Sequence, residues 1–218
     1  MSAHFRALWQ ELAQADLFDE GVEAARNACV AGASIASAAI TAAAFYDNPL
    51  TGLGALRACM QRLESTPPEL GALRTALAPS PPQDPSDAPF TPGFGFVSGA
   101  QASRLLAAAH RLLGPATAGS PLGCFLLSVY EQIAPLTGPL NHAGLAALVF
   151  LDNRVSPDQA ERWYLLARVE TAIAEAQKTR HAGLASFPFL SEKYIYEGPR
   201  PPIKTFDVDD LRRCVGLD

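Results

Sequence analysis

NACVAGASIASAAITAAAF, Asn27 to Phe45, is almost long enough to span a bilayer and carries no charged side chain. Its bulk comes from Ala, Ser, Thr and Gly, with little Leu or Ile, so its transfer into lipid is weakly driven. The better reading is a fully buried helix whose small side chains let neighbouring backbones approach closely. Such a helix needs other helices around it, and the flanking sequence supplies them. Apolar residues recur at helical spacing near Ala3 to Ala13, Phe18 to Phe45, Gly52 to Leu63, Glu69 to Ala76, Gln101 to Leu113, Leu122 to Ala134, Gly144 to Leu151 and Pro157 to Lys178. Ser156 ahead of Pro157, with Asp158 and Glu161 in the first turn, marks the last of these starts. No alternating run is long enough to need a sheet, although Lys193 to Tyr196 suits a short extended piece. The expected fold class is all-α.

At 218 residues, 49% apolar and only 18% charged, the chain can bury a large core and has few surface charges to spare. A net charge of −5 with evenly scattered Lys and Arg argues against a nucleic-acid partner. Met1 to Leu17 reads as an amphipathic helix and not as a signal, since it contains Glu11 and Asp16. The four cysteines (Cys29, Cys59, Cys124, Cys214) are far apart in mostly apolar contexts, which suits buried free thiols in a reducing compartment. A cytoplasmic protein with no membrane span is expected.

The four histidines (His4, His110, His142, His181) show no metal-ligand spacing, so no metal site is expected. No GxSxG elbow, phosphate-binding loop or dinucleotide fingerprint is present either. Three loops each run into a helix start: Asn48-Pro49-Leu50-Thr51-Gly52-Leu53-Gly54, Pro92-Gly93-Phe94-Gly95-Phe96 and Leu140-Asn141-His142-Ala143-Gly144. Free backbone N–H groups converge at such places and suit an anion or an acyl carbonyl. Ordinary helix starts have the same form.

Taken in order with Ala167-Arg168 and the stretch from Tyr194 to Pro201, these segments resemble the citrate synthase superfamily, including its citryl-CoA lyase branch. The resemblance spans Ala13 to Pro201 and implies a large helical core plus a smaller helical lobe, with the family's N-terminal region missing. It implies large-domain-like helices with a dimer-forming segment over 1–78, and a smaller lobe over 79–180 that opens with the Pro-rich linker 79–96. A tail over 181–218 returns to the large lobe.

In the family a histidine stands where this chain has Thr51, a second where it has Phe96, and an aspartate where it has Ala143. An earlier substrate-binding histidine aligns near Ala15, and an arginine donated across the dimer is replaced by Phe187 ahead of Pro188. The family reaction moves protons with a carboxylate and imidazoles, which Thr, Phe and Ala cannot replace. The resemblance further implies dicarboxylate binding by Arg168, Arg104 and Asn141, and coenzyme A binding along Gly93, Phe94 and Gly95. His142, beside Ala143, is a candidate relocated base.

These residues leave three readings open. One is a catalytically degenerate homologue that binds a CoA thioester or dicarboxylate, or modifies an active paralogue. The second is an active CoA-dependent lyase or acyltransferase with His142 or Thr51 in new roles, and the third a helical interaction protein with no small-molecule site. A homodimer joined through the small-residue helices around Ala25 to Phe45 and Gly52 to Leu63 is expected, or a heteromer with a full-length paralogue.

Overall fold

Ala and Leu at helical spacing build ten helices in the computed structural model, which describes residues 3–14, 19–79, 90–95, 97, 99–113 and 121–182. They are α1 (Ala3–Leu12), α2 (Glu20–Val30), α3 (Ile35–Tyr46), α4 (Leu53–Glu64), α5 (Leu70–Ala76), α6 (Gly99–Leu113), α7 (Pro121–Ser128), α8 (Tyr130–Thr137), α9 (His142–Asp152) and α10 (Pro157–Ala182). Every described residue falls in one unit, Met1–Leu184. Among them no β-strand is formed, Phe94 and Leu140 making an isolated bridge, so the all-α expectation holds. No helix among the described residues is long and apolar enough to cross a membrane. Phe96, Ala15, Phe187 with Pro188, the extended piece Lys193 to Tyr196, the stretch Tyr194 to Pro201, Cys214 and most of the Pro-rich linker lie outside the described residues.

The opening stretch departs from expectation. Asn27 to Phe45 is not one fully buried helix but the end of α2, a turn, and most of α3. Gly32 turns the chain with φ +87°, a left-handed conformation that costs glycine little, and the Gly32 N–H donates to Cys29 O. Ser34 then caps α3 by accepting from the Ser37 N–H at 3.1 Å. Only Ala38, Ala42 and Tyr46 of α3 are buried, a stripe at i, i+4, i+8, while Ile40 is 72% exposed and Phe45 46%. The helix expected over Leu122 to Ala134 likewise divides, at Val129, into α7 and α8.

Two hydrophobic cores form, and α10 is common to both. The larger joins Leu8 and Leu12 of α1 to Leu56, Met60 and Leu63 of α4, Leu105 of α6, and Tyr164 and Ala167 of α10. Its centre is α9, in which every residue from His142 to Phe150 is buried; a helix apolar on all sides belongs inside a bundle. Each large side chain buried there contributes about 1.5–3 kcal/mol. The smaller core packs Val22, Ala25 and Cys29 of α2 and the buried stripe of α3 against Ala172 and Ala176 of α10. Arg26 on α2 reinforces it through a 2.9 Å ion pair with Glu175. Arg168 lies on α10 where the helix leaves one core and enters the other.

Candidate ligand-binding cleft

A cleft of about 190 Å³ opens at that junction, lined by Asp19, Tyr46, Asn48, Thr51, Val97, His142, Tyr164 and Arg168 among others. Five segments remote in sequence meet here: the start of α2, the end of α3 with the loop before α4, the chain after the Gly93–Gly95 turn, the start of α9, and the middle of α10. Two residues singled out from sequence, Thr51 and Arg168, share one wall system with the candidate base His142. A larger cavity of about 450 Å³, lined by Met60, Leu63, Leu151 and Arg154 among others, contains none of the expected site residues.

Asn48 shapes the first loop. Its Oδ1 accepts from the N–H groups of Leu50, Thr51 and Gly52 at 3.0, 2.8 and 3.1 Å, and from Thr51 Oγ1 at 3.3 Å. Tyr164 of α10 donates its hydroxyl to Thr51 O at 2.9 Å and so ties the loop to the long helix. Burial pushes the Tyr164 and Tyr46 phenols well above their usual range, so both remain protonated donors.

The Gly93 turn and the start of α9 are joined backbone to backbone. Asn141 N–H donates to Gly93 O at 3.1 Å, and Gly95 N–H donates to Pro139 O at 2.6 Å. Asn141 caps α9, its Oδ1 accepting from Gly144 N–H at 3.0 Å, while its amide nitrogen lies 3.4 Å from Gly95 O. Phe94 directs its ring into the core at 1% exposure, and Phe94 N–H donates to Thr91 O, so this turn presents little more than Gly95 to the outside. Ala143 is fully buried in the core.

His142 is buried and not at the surface, where helix-start histidines usually lie. Its Nε2 is approached by Arg104 Nη2 at 3.3 Å and by the Gln101 amide nitrogen at 3.0 Å. A guanidinium only donates, so Nε2 carries the lone pair and the proton resides on Nδ1. Burial first, and the Arg104 charge second, lower the imidazole pKa to about 3. A neutral ring with its lone pair so engaged is a weak proton acceptor. The folded pKa lies below the ordinary value of 6.5, so the unfolded chain binds the proton first as pH falls. Folding stability is therefore expected to decline from about pH 6.5 down to about pH 3, with a slope from this residue approaching about 1.4 kcal/mol per unit. Urea titrations at a series of pH values check this, and His142→Gln should flatten the profile.

Arg168 is 3% exposed. Nη1 donates to Leu12 O at 2.8 Å and to Gln14 O at 3.3 Å, where the carbonyls at the end of α1 favour a cation. Nη2 pairs with Asp19 Oδ2, and the guanidinium carbon lies 5.4 Å from the centre of the Tyr46 ring. Asp19 Oδ1 accepts from Val22 N–H at 3.0 Å and from the Tyr46 hydroxyl at 2.9 Å. Arg104, only partly buried, also donates to the Gln14 side chain.

Sequence reasoning missed Asp19, Tyr46, Asn48 and Tyr164. Asp19 ahead of the acidic turn Glu20 to Glu23 reads as a helix cap, but nothing local pairs it with Arg168. Cys29 and Cys59 are buried thiols, the latter pushed up to about 12 by burial, and Cys124 is half-buried. No group of His, Cys, Asp and Glu suited to a metal ion occurs among the described residues.

No family model matches the chain, and no curated protein matches it.

Proposed function

We propose that this protein is a catalytically degenerate relative of citrate synthase and citryl-CoA lyase that retains a ligand cleft and binds a CoA thioester without turning it over. The observation that carries this reading is the cleft itself, which gathers Thr51, His142 and Arg168 from segments whose order matches the resemblance. Of these three, Thr51 donates its hydroxyl to Asn48 within its own loop and His142 is a weak base, so neither serves as an acid or base near neutrality. A space of about 190 Å³ accepts an acyl group or small acid, whereas typical cofactor pockets run to roughly 300–1,000 Å³, so a nucleotide portion would lie outside it. Action as a homodimer, or as a modifying subunit beside an active paralogue in the cytoplasm, belongs to the same reading. The exposed Ile40 and Phe45 on α3 support an assembly through that helix.

Purified protein is expected to form no citrate from oxaloacetate and acetyl-CoA while binding CoA or a short acyl-CoA in calorimetry. Citrate formation that disappears in Arg168→Ala would overturn the degenerate reading, and absence of any CoA-ester binding would favour the interaction protein.

A further inference from the structure

We infer that the larger cavity, between the end of α4, the end of α9 and the start of α10, is a second ligand site, and that it takes an apolar α-amino acid as the free zwitterion. It shares no lining residue with the cleft around Arg168, so it stands apart from the CoA reading.

A volume of about 450 Å³ falls within the range of small-molecule pockets. Met60, Leu63, Leu122, Leu151 and Val155 supply apolar wall, and the first two belong to the larger core, so the cavity ends on packed hydrocarbon. Two opposite charges line it as well, Glu64 and Arg154. Both are exposed, and neither has an ion-pair partner among the described residues, so each is available to a ligand group of opposite sign. The helix ends beside them extend this polarity. Glu64 is the last residue of α4, where unpaired carbonyls add negative potential, while Ser156 and Pro157 open α10, whose first N–H groups add positive potential. Ser156 Oγ accepts from Gln159 N–H at 3.4 Å and can still donate its own hydrogen. A negative and a positive pole over an apolar floor match the ammonium, carboxylate and side chain of an apolar amino acid. A simple carboxylic acid would meet Arg154 but be repelled by Glu64, and a simple amine the reverse. Arg154 is held there at a cost. Among the described residues it alone, apart from glycines, has a positive φ, +55°, and it fills the position after the α9 cap that glycine normally takes. Arg154 N–H donates to Leu151 O at 3.0 Å and Val155 N–H to Phe150 O at 2.9 Å, which completes that helix end. A charged side chain kept on a strained turn beside a cavity marks a place where function outweighs local stability.

L-Leucine at millimolar concentration is expected to raise the melting temperature of the wild type by about 2–5 °C over glycine at equal concentration. Isocaproate and isoamylamine, which carry the same hydrocarbon with one charge each, should raise it by less than half as much. Arg154→Gly relieves the strained turn, so it is expected to melt above the wild type without ligand and to gain nothing from leucine. Glu64→Gln, an exposed change at the end of α4, should lose most of the leucine effect and keep its fold. No rise with leucine, an equal rise with isocaproate, or a leucine effect that persists undiminished in Arg154→Gly overturns the inference.

Discussion

Arg168→Ala is expected to lower folding stability by about 3–5 kcal/mol, the usual cost of removing one member of a buried ion pair. Asp19 would keep its charge in a pocket where its side chain is 3% exposed, with the opposing guanidinium gone. The carbonyls of Leu12 and Gln14 would lose their donor at the end of α1, and the Tyr46 ring its cation. Urea unfolding followed by far-ultraviolet circular dichroism measures the change, given a two-state transition. Arg168→Met combined with Asp19→Asn should be less damaging than Arg168→Ala alone, because no unpaired charge then stays buried. A loss below about 1 kcal/mol for Arg168→Ala, the range of exposed pairs, would show that the pair is solvated and that the cleft is wetter than its burial indicates.

Gly144→Ala is the second large effect. A Cβ on Gly144 would stand 2.0 Å from Gly93 O and 2.8 Å from Leu140 Cδ1, and the nearer obstacle is backbone that is itself bonded to Asn141 N–H. Relief requires the Gly93 turn to lift off α9, which breaks the pairing that carries Val97 to the cleft. Overpacking of cores costs typically about 1–3 kcal/mol, and a clash with fixed backbone belongs at or above the upper end. Gly71→Ala, on the exposed face of α5 with nothing within 4 Å, should instead be neutral or stabilising by up to about 1 kcal/mol. A Gly144→Ala protein as stable as the wild type would mean that the turn and α9 are not docked as described. Thermal and urea unfolding of the two variants side by side decide it.

Much of the helical layout was legible in the residues. Ser156 and Pro157 announced α10, Gly32 and Ser34 are ordinary signals for a helix end and a helix start, and a closer weighting of them would have divided the Asn27 to Phe45 stretch correctly. Ala-rich sequence has high helix propensity on every side and so hides which face is buried. The burial of Ala38, Ala42 and Tyr46, against the exposure of Ile40, follows from where α2 and α10 lie and has no counterpart in local composition.

The candidate site was legible in its loops and illegible in its charges. The loops that hold Thr51, Asn141 and His142 are features of local sequence, whereas Arg168 and the roles given to Thr51 and Asn141 come from the resemblance. Their partners could not be read there, because ion pairs, proton affinities and packing all depend on distance in space. The sequence places His142 near neutrality, whereas burial beside Arg104 lowers its pKa to about 3. Arg168 is paired with Asp19, a partner remote in sequence. Sequence alone therefore determined that this chain folds as packed helices and has Thr51, Phe96 and Ala143 at the positions the resemblance singles out, since both depend on residue types and their order. Tertiary structure alone decided that one cleft brings together Thr51, His142 and Arg168 and that its arginine is paired with Asp19, because desolvation and Coulomb attraction act only between groups that folding brings together.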